Sequence, residues 1–102
     1  MAIQRSGLQK EILALYRRAL RMVRTKPPPT QEKFRLFVRY AFKTQATALS
    51  PRDVSAIEHL LRKGRRQLET YEDSQVRDCW VSKEMYEWNE RDRRRAQQHS
   101  AS

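Results

Sequence analysis

Three consecutive prolines, Pro27-Pro28-Pro29, set the first constraint on this chain. Proline lacks a backbone N–H and pushes its predecessor out of the helical region. Whatever precedes the triplet must end there, and whatever follows must start anew. The preceding stretch is helical in pattern. Leu8, Ile12, Leu15, Tyr16, Ala19, Met22 and Val23 share one face at 100° per residue, with Lys10, Arg17, Arg21 and Arg24 opposite. Leu13 and Leu20 widen the apolar side, and Ser6-x-x-Gln9 reads as a capping box at the start.

Beyond the prolines, Thr30 is the expected N-cap of a second helix. Phe34, Phe37, Val38, Ala41 and Phe42 face one way there, and Arg35, Arg39 and Lys43 form a basic row beside them. Ser50-Pro51-Arg52-Asp53 is a third start, with Ser at the N-cap and Pro at N1. Val54, Ile57, Leu61, Gly64, Leu68 and Tyr71 follow on one face. A mid-helix glycine costs about 1 kcal/mol against alanine. Gly64 is therefore either tolerated or there to admit the close approach of another helix or a ligand.

Only two glycines and no β-branched runs occur, which argues for helices throughout. The prediction is an all-α fold. It is an antiparallel three-helix bundle within residues 1–74, with helices over about 7–25, 30–46 and 50–74. Residues 75–102 form a C-terminal extension. In it, Trp80, Val81, Met85 and Trp88 make one face of a short fourth helix, and the end of the chain frays into disorder.

Charge narrows the function classes. The chain has 102 residues, with 22 Lys+Arg against 12 Asp+Glu and a net charge of +10. Such a field favours acidic partners: nucleic acid, anionic lipid or an acidic protein. Before Glu32 the one acid is Glu11, against Arg5, Lys10, Arg17, Arg18, Arg21, Arg24 and Lys26. This is the composition of a mitochondrial targeting element, but the segment also builds the first helix and is not expected to be a removable presequence. The apolar runs are too short to span a membrane. Cys79 is the sole cysteine and His59 and His99 are scattered, so no disulfide, thiolate cluster or metal site is expected.

No nucleotide loop, Ser/His/Asp set or metal spacing is present, and Glu72-Asp73 reads as a solvated pair. Catalysis is not expected. The informative features are three basic rows: Arg17/Arg21/Arg24, Arg35/Arg39/Lys43 and Arg62/Lys63/Arg65/Arg66. Helical i, i+4 pairs, Glu58–Arg62 and Arg65–Glu69, would tie up part of the third. Together the rows make a docking surface for something acidic. Phosphate contacts need little beyond such charge, so nucleic acid stays open as a partner. The aromatics, however, mostly lie on apolar faces, whereas stacking platforms for single strands would have them exposed. A helix lying on a membrane surface would need the apolar faces that a bundle buries. Bulky Phe34, Phe37, Phe42, Tyr16 and Tyr71 oppose small Gly64 and Ala41, which can pack tightly or leave a slot.

Leu15-Tyr16-Arg17, followed by Phe42 within RYAFK, resembles the LYR-motif family of small mitochondrial proteins. The stretch SPRDVSAIEHLLRKGRRQLETY is similar to the succinate dehydrogenase assembly factor branch of that family. The resemblance covers roughly residues 8–72; the prolines at 27–29 and the tail from Asp73 depart from it. It implies a three-helix protein of the mitochondrial matrix, with no cofactor of its own. Its implied partners are an acidic, acylated mitochondrial acyl carrier protein, whose acyl-phosphopantetheine enters a channel among the helices, and the iron–sulfur subunit of succinate dehydrogenase. The iron–sulfur transfer chaperone machinery would deliver clusters to that subunit. On this resemblance Leu15, Tyr16, Arg17, Arg35, Arg39 and Lys43 are the candidate contacts to the acidic partner. Tyr16, Ala41, Phe42, Leu61, Gly64 and Leu68 are the candidate channel lining. Arg62, Lys63, Arg65 and Arg66 are the candidate client patch. Other branches of the family, serving respiratory complex I or cysteine desulfurase, stay open beside it.

Overall fold

The structure, a computed structural model, describes residues 7–48, 50 and 52–101. It contains four helices: α1 (Gly7–Arg24), α2 (Pro28–Ala48), α3 (Val54–Glu72) and α4 (Lys83–Ala101). The capping role of Ser6 and the N1 position of Pro51 fall outside the described residues.

Two helix starts differ from expectation. α2 begins at Pro28, not after Thr30. Pro28 and Pro29 sit in the first turn, where their missing N–H groups would have no intrahelical partner anyway. Thr30 lies inside that turn, and its N–H and hydroxyl both donate to the Pro27 carbonyl, at 2.9 and 3.0 Å. The cap of α3 is Asp53 rather than Ser50; its carboxylate accepts from the Ala56 N–H at 3.2 Å. Ser50 instead shapes the preceding turn, accepting from the Arg52 N–H on its hydroxyl and from the Asp53 N–H on its carbonyl.

The largest correction concerns the tail. α4 is a 19-residue helix that runs through the charged stretch to Ala101, not a short segment leading into disorder. Ser82 caps it, accepting from the Met85 N–H at 3.2 Å. Its glutamates, arginines, glutamines and methionine are good helix formers, and Asp92 ties its middle to α2. Trp80 and Val81 precede the helix rather than share its face, and Trp80 is 77% exposed.

The first three helices run up, down and up. Tyr16 meets Phe42 and Lys26 meets Phe34, so α1 and α2 are antiparallel. Glu11 meets Arg65 and Arg18 meets Glu72, so α1 and α3 are parallel. α1 packs against both neighbours, whereas among the described residues no α2 Cα comes within 8 Å of an α3 Cα. The core centres on fully buried Val23 and Phe34, with Leu15, Ala19, Met22, Val38, Ile57, Leu61 and Leu68 around them. Among the described helices, α4 packs on α2 alone.

One end of the bundle is closed by Lys26, which is only 4% exposed. Its Nζ donates to the carbonyls of Asp73 and Val76, at 3.1 and 2.6 Å, and stands 5.3 Å from the centre of the Phe34 ring. A buried ammonium needs such partners, because burying an unpaired charge is costly. On the outside, Arg18 grips Glu72 with two bonds of 2.6 and 2.9 Å. The hydrogen bond from Arg18 holds the Glu72 carboxyl below its ordinary value, outweighing the opposing effect of partial burial.

Lys26→Met removes the donor from two carbonyls and is expected to cost about 3–6 kcal/mol, since bonds to a charged group carry about 1.5–3 each; a denaturant titration against wild type checks it. The Glu72 pair contributes fully above the ordinary carboxyl value of 4.5 and is lost as pH falls through the lowered one. Glu72→Gln should therefore lower stability at neutral pH by less than about 1 kcal/mol, as befits an exposed pair, and converge with wild type at acid pH below the lowered carboxyl value. Paired thermal melts at the two pH values test this.

Candidate functional site

Because α2 and α3 stand apart, the three-helix unit has an apolar cavity of about 280 Å³ along its seam. α1 supplies the floor with Ile12, Leu15, Ala19 and Met22. α2 supplies one wall through Phe37, Val38, Ala41 and Phe42, and α3 the other through Ile57, Leu60, Leu61, Gly64, Leu68 and Tyr71. Gln9, Gln45 and Gln67 are its polar lining, and all three are exposed. From Gln9 to Met22 the floor extends about 20 Å at the helical rise of 1.5 Å per residue.

Tyr71 lines the cavity near the end of the bundle that Lys26 closes. There the Tyr71 ring stands edge-on to Phe34 and Phe37, at 6.1 and 5.3 Å. Burial, then the proximity of Cys79, pushes the Tyr71 phenol above its ordinary value. Burial likewise raises the Cys79 thiol, reinforced by Asp78 and opposed by Lys33. Neither group is primed for nucleophilic work. Among the described residues no group of His, Cys, Asp or Glu is placed to hold a metal ion.

Gly64 admits a close approach. A Cβ there would sit 3.0 Å from Leu15 Cδ2, so the missing side chain lets α1 lie tight against α3 while leaving the cavity wall bare. Ala41, Phe42, Leu61 and Leu68 also line the cavity, as the sequence suggests. Tyr16 does not. It stands behind Phe42, its ring edge-on at 5.0 Å, and buttresses the wall rather than forming it. Leu15 is buried on the floor and Arg17 is exposed.

The basic rows separate into engaged and open groups. Arg39 donates to Asp92 at 2.5 Å and to Asn89 at 3.3 Å, and Lys43 reaches Asp92 at 3.2 Å. Arg35 pairs with Glu32 one turn away. Thus the α2 row faces acids of its own chain. Lys33, which the pattern of that row does not include, pairs with Asp78; their hydrogen bond raises the lysine and lowers the carboxyl. On α3, Arg62, Lys63 and Arg66 are exposed. The expected Glu58–Arg62 and Arg65–Glu69 pairs do not form among the described residues; Arg65 crosses instead to Glu11 at 3.5 Å.

Sequence reasoning missed two residues that shape the site. Lys26 reads as one more surface cation, and nothing local in the sequence marks it as buried. Leu36 is buried away from the main core, in the seam between α2 and α4. Its spacing to Tyr40, which packs edge-on to Trp88 at 5.6 Å, is the signal of a second packing face.

Residues 10–70 match the family model described as Complex 1 protein (LYR family). Over 77 residues the chain is 42% identical to "Succinate dehydrogenase assembly factor 1, mitochondrial" of Schizosaccharomyces pombe, covering 76% of this chain and 96% of that protein. It is 40% identical over 72 residues to "Succinate dehydrogenase assembly factor 1A, mitochondrial" of Dictyostelium discoideum, covering 70% and 79%. The Saccharomyces cerevisiae protein named "Succinate dehydrogenase assembly factor 1, mitochondrial" is 41% identical over 66 residues, covering 65% and 82%. No solved structure matches this chain.

Gly64→Ala removes a helix penalty of about 1 kcal/mol, and Leu15 can yield by turning into the cavity. The variant is expected to melt a few degrees higher, at about 4–8 °C per kcal/mol for a domain of this size. Gly64→Phe should instead fill the slot and abolish uptake of an apolar dye. Calorimetry and dye fluorescence on the two variants measure both effects.

Proposed function

Since this chain belongs to the Complex 1 protein (LYR) family, we propose that it is a mitochondrial assembly factor for succinate dehydrogenase, acting by binding and not by catalysis. Its client is the iron–sulfur subunit, which it shields and presents to the iron–sulfur transfer machinery. An acylated acyl carrier protein binds with it, and the acyl chain lies in the cavity between α2 and α3.

The observation that carries this reading is the cavity itself: apolar, floored by the helix that bears Leu15-Tyr16-Arg17, and held open by the separation of α2 from α3. Its length and lining suit a flexible hydrocarbon chain. Each methylene removed from water is worth about 0.8 kcal/mol, so a chain of several carbons adds substantially to a small domain. The net charge of +10 speeds encounter with an acidic carrier. Arg17, exposed one step beyond Tyr16, offers the planar fork that suits a carboxylate or phosphate. Arg62, Lys63 and Arg66, exposed on α3, are a separate cationic face for the client or its delivery machinery.

Two measurements test the proposal. Intact mass spectrometry of the natively purified protein should find an acylated carrier protein and the succinate dehydrogenase iron–sulfur subunit. A different client moves the protein to another branch, and co-purifying nucleic acid with neither protein overturns the reading. The complex with acylated carrier should also melt well above the complex with unacylated carrier; equal melting temperatures remove the acyl chain from the cavity.

A further inference from the structure

α4 lies wholly outside the residues that match the family, 10–70, and it rests on α2 alone. An apolar seam around buried Leu36 and a set of ion pairs hold it there. Asp92, its side chain 18% exposed, accepts from both Arg39 and Lys43. Asp78, in the connector before α4, pairs with Lys33 at 3.1 Å. Trp88 adds one aromatic contact to Tyr40, with the Arg39 and Lys43 cations 5.6 and 5.9 Å from its ring centre. Two carboxylates along one arm therefore meet three cations along one helix face.

An acidic helix of another protein presents the same chemistry to the same face. We propose that α4 and its connector are an internal competitor: they occupy the Lys33, Arg39 and Lys43 surface of α2 in the free chain, and an acidic protein partner displaces them from it. The inference rests on the acidic-partner reading above. α4 can leave without disturbing the cavity, because among the described helices it touches neither α1 nor α3, and the root of its connector is held separately, through Lys26 and the packing of Val76 and Cys79 on the core. The arm then sets apparent affinity: a partner binds more weakly by the fraction of chains in which the surface is open.

The test compares Asp78→Asn/Asp92→Asn with Glu84→Gln/Glu90→Gln, which removes the same charge from exposed positions of α4 that pair with no α2 residue. Acylated acyl carrier protein is the probe. The first variant is expected to bind it about tenfold more tightly than the second, as for an arm open about one-tenth of the time. In the wild-type complex, hydrogen exchange at the amides of α4 should quicken. Equal affinities of the two variants, or α4 amides equally or better protected in the complex, overturn the inference. If no form binds the carrier, the carrier reading itself fails. The same comparison with poly-L-glutamate then decides whether the arm competes for this surface.

Discussion

The whole arrangement depends on α1 touching two helices that do not touch each other. Its apolar face is broad enough to serve both, because Leu15, Ala19, Met22 and Val23 are all buried along it. On the α3 side, Gly64 lets α1 settle close. On the α2 side, Phe34 fills the space beneath Val23 and Lys26, while Phe37 and Phe42 hold the backbone away from α3. Bulk on one wall and its absence on the other thus produce a cavity rather than a closed seam. Apolar walls without packing partners forfeit dispersion contacts, and a domain this small has little stability to forgo. The structure therefore carries an apolar cavity at the expense of packing in its own core.

The tripeptide at residues 15–17 shows how a helix divides labour. Successive side chains step 100° around the axis. Leu15 is on the cavity floor, Tyr16 braces Phe42 from behind, and Arg17 reaches water. Three consecutive residues therefore meet three environments: the cavity, its supporting wall and solvent. Arg18, the next step, is already committed to Glu72 and locks α1 to the end of α3.

Much of this was legible in the sequence because it is periodic. The faces of α1, α2 and α3 follow from apolar spacing, and Ala41, Phe42, Leu61, Gly64 and Leu68 fall in the cavity as that spacing and the family resemblance suggest. What escaped was everything set by contacts distant in sequence. Lys26 is buried because carbonyls some fifty residues away turn toward it. Arg39 and Lys43 look like a solvated row because Asp92 lies in a segment whose helicity rests partly on that contact. Tyr16 shares the apolar face with Leu15, and only the position of Phe42 decides which of them reaches the cavity. The helix starts were misjudged by a few residues because proline and aspartate can each occupy more than one position in a first turn.

The segment after α3 is held by two kinds of bond that respond differently to conditions. At its root, the Lys26 ammonium is buried and bonded to neutral carbonyls of Asp73 and Val76. Salt has little access to it, and the low local dielectric strengthens it. Farther along, Lys33–Asp78 is half open to water and Lys43 is half exposed where it meets the more sheltered Asp92; there ionic strength screens the pairs and competing carboxylates can replace them. The chain therefore has a fixed hinge and a releasable arm within one segment. The fixed end lies beside Phe34, whose ring packs against Tyr71 of the cavity wall, so loosening α4 leaves that wall in place. The charged surface and the apolar interior are thus held by separate parts of the segment.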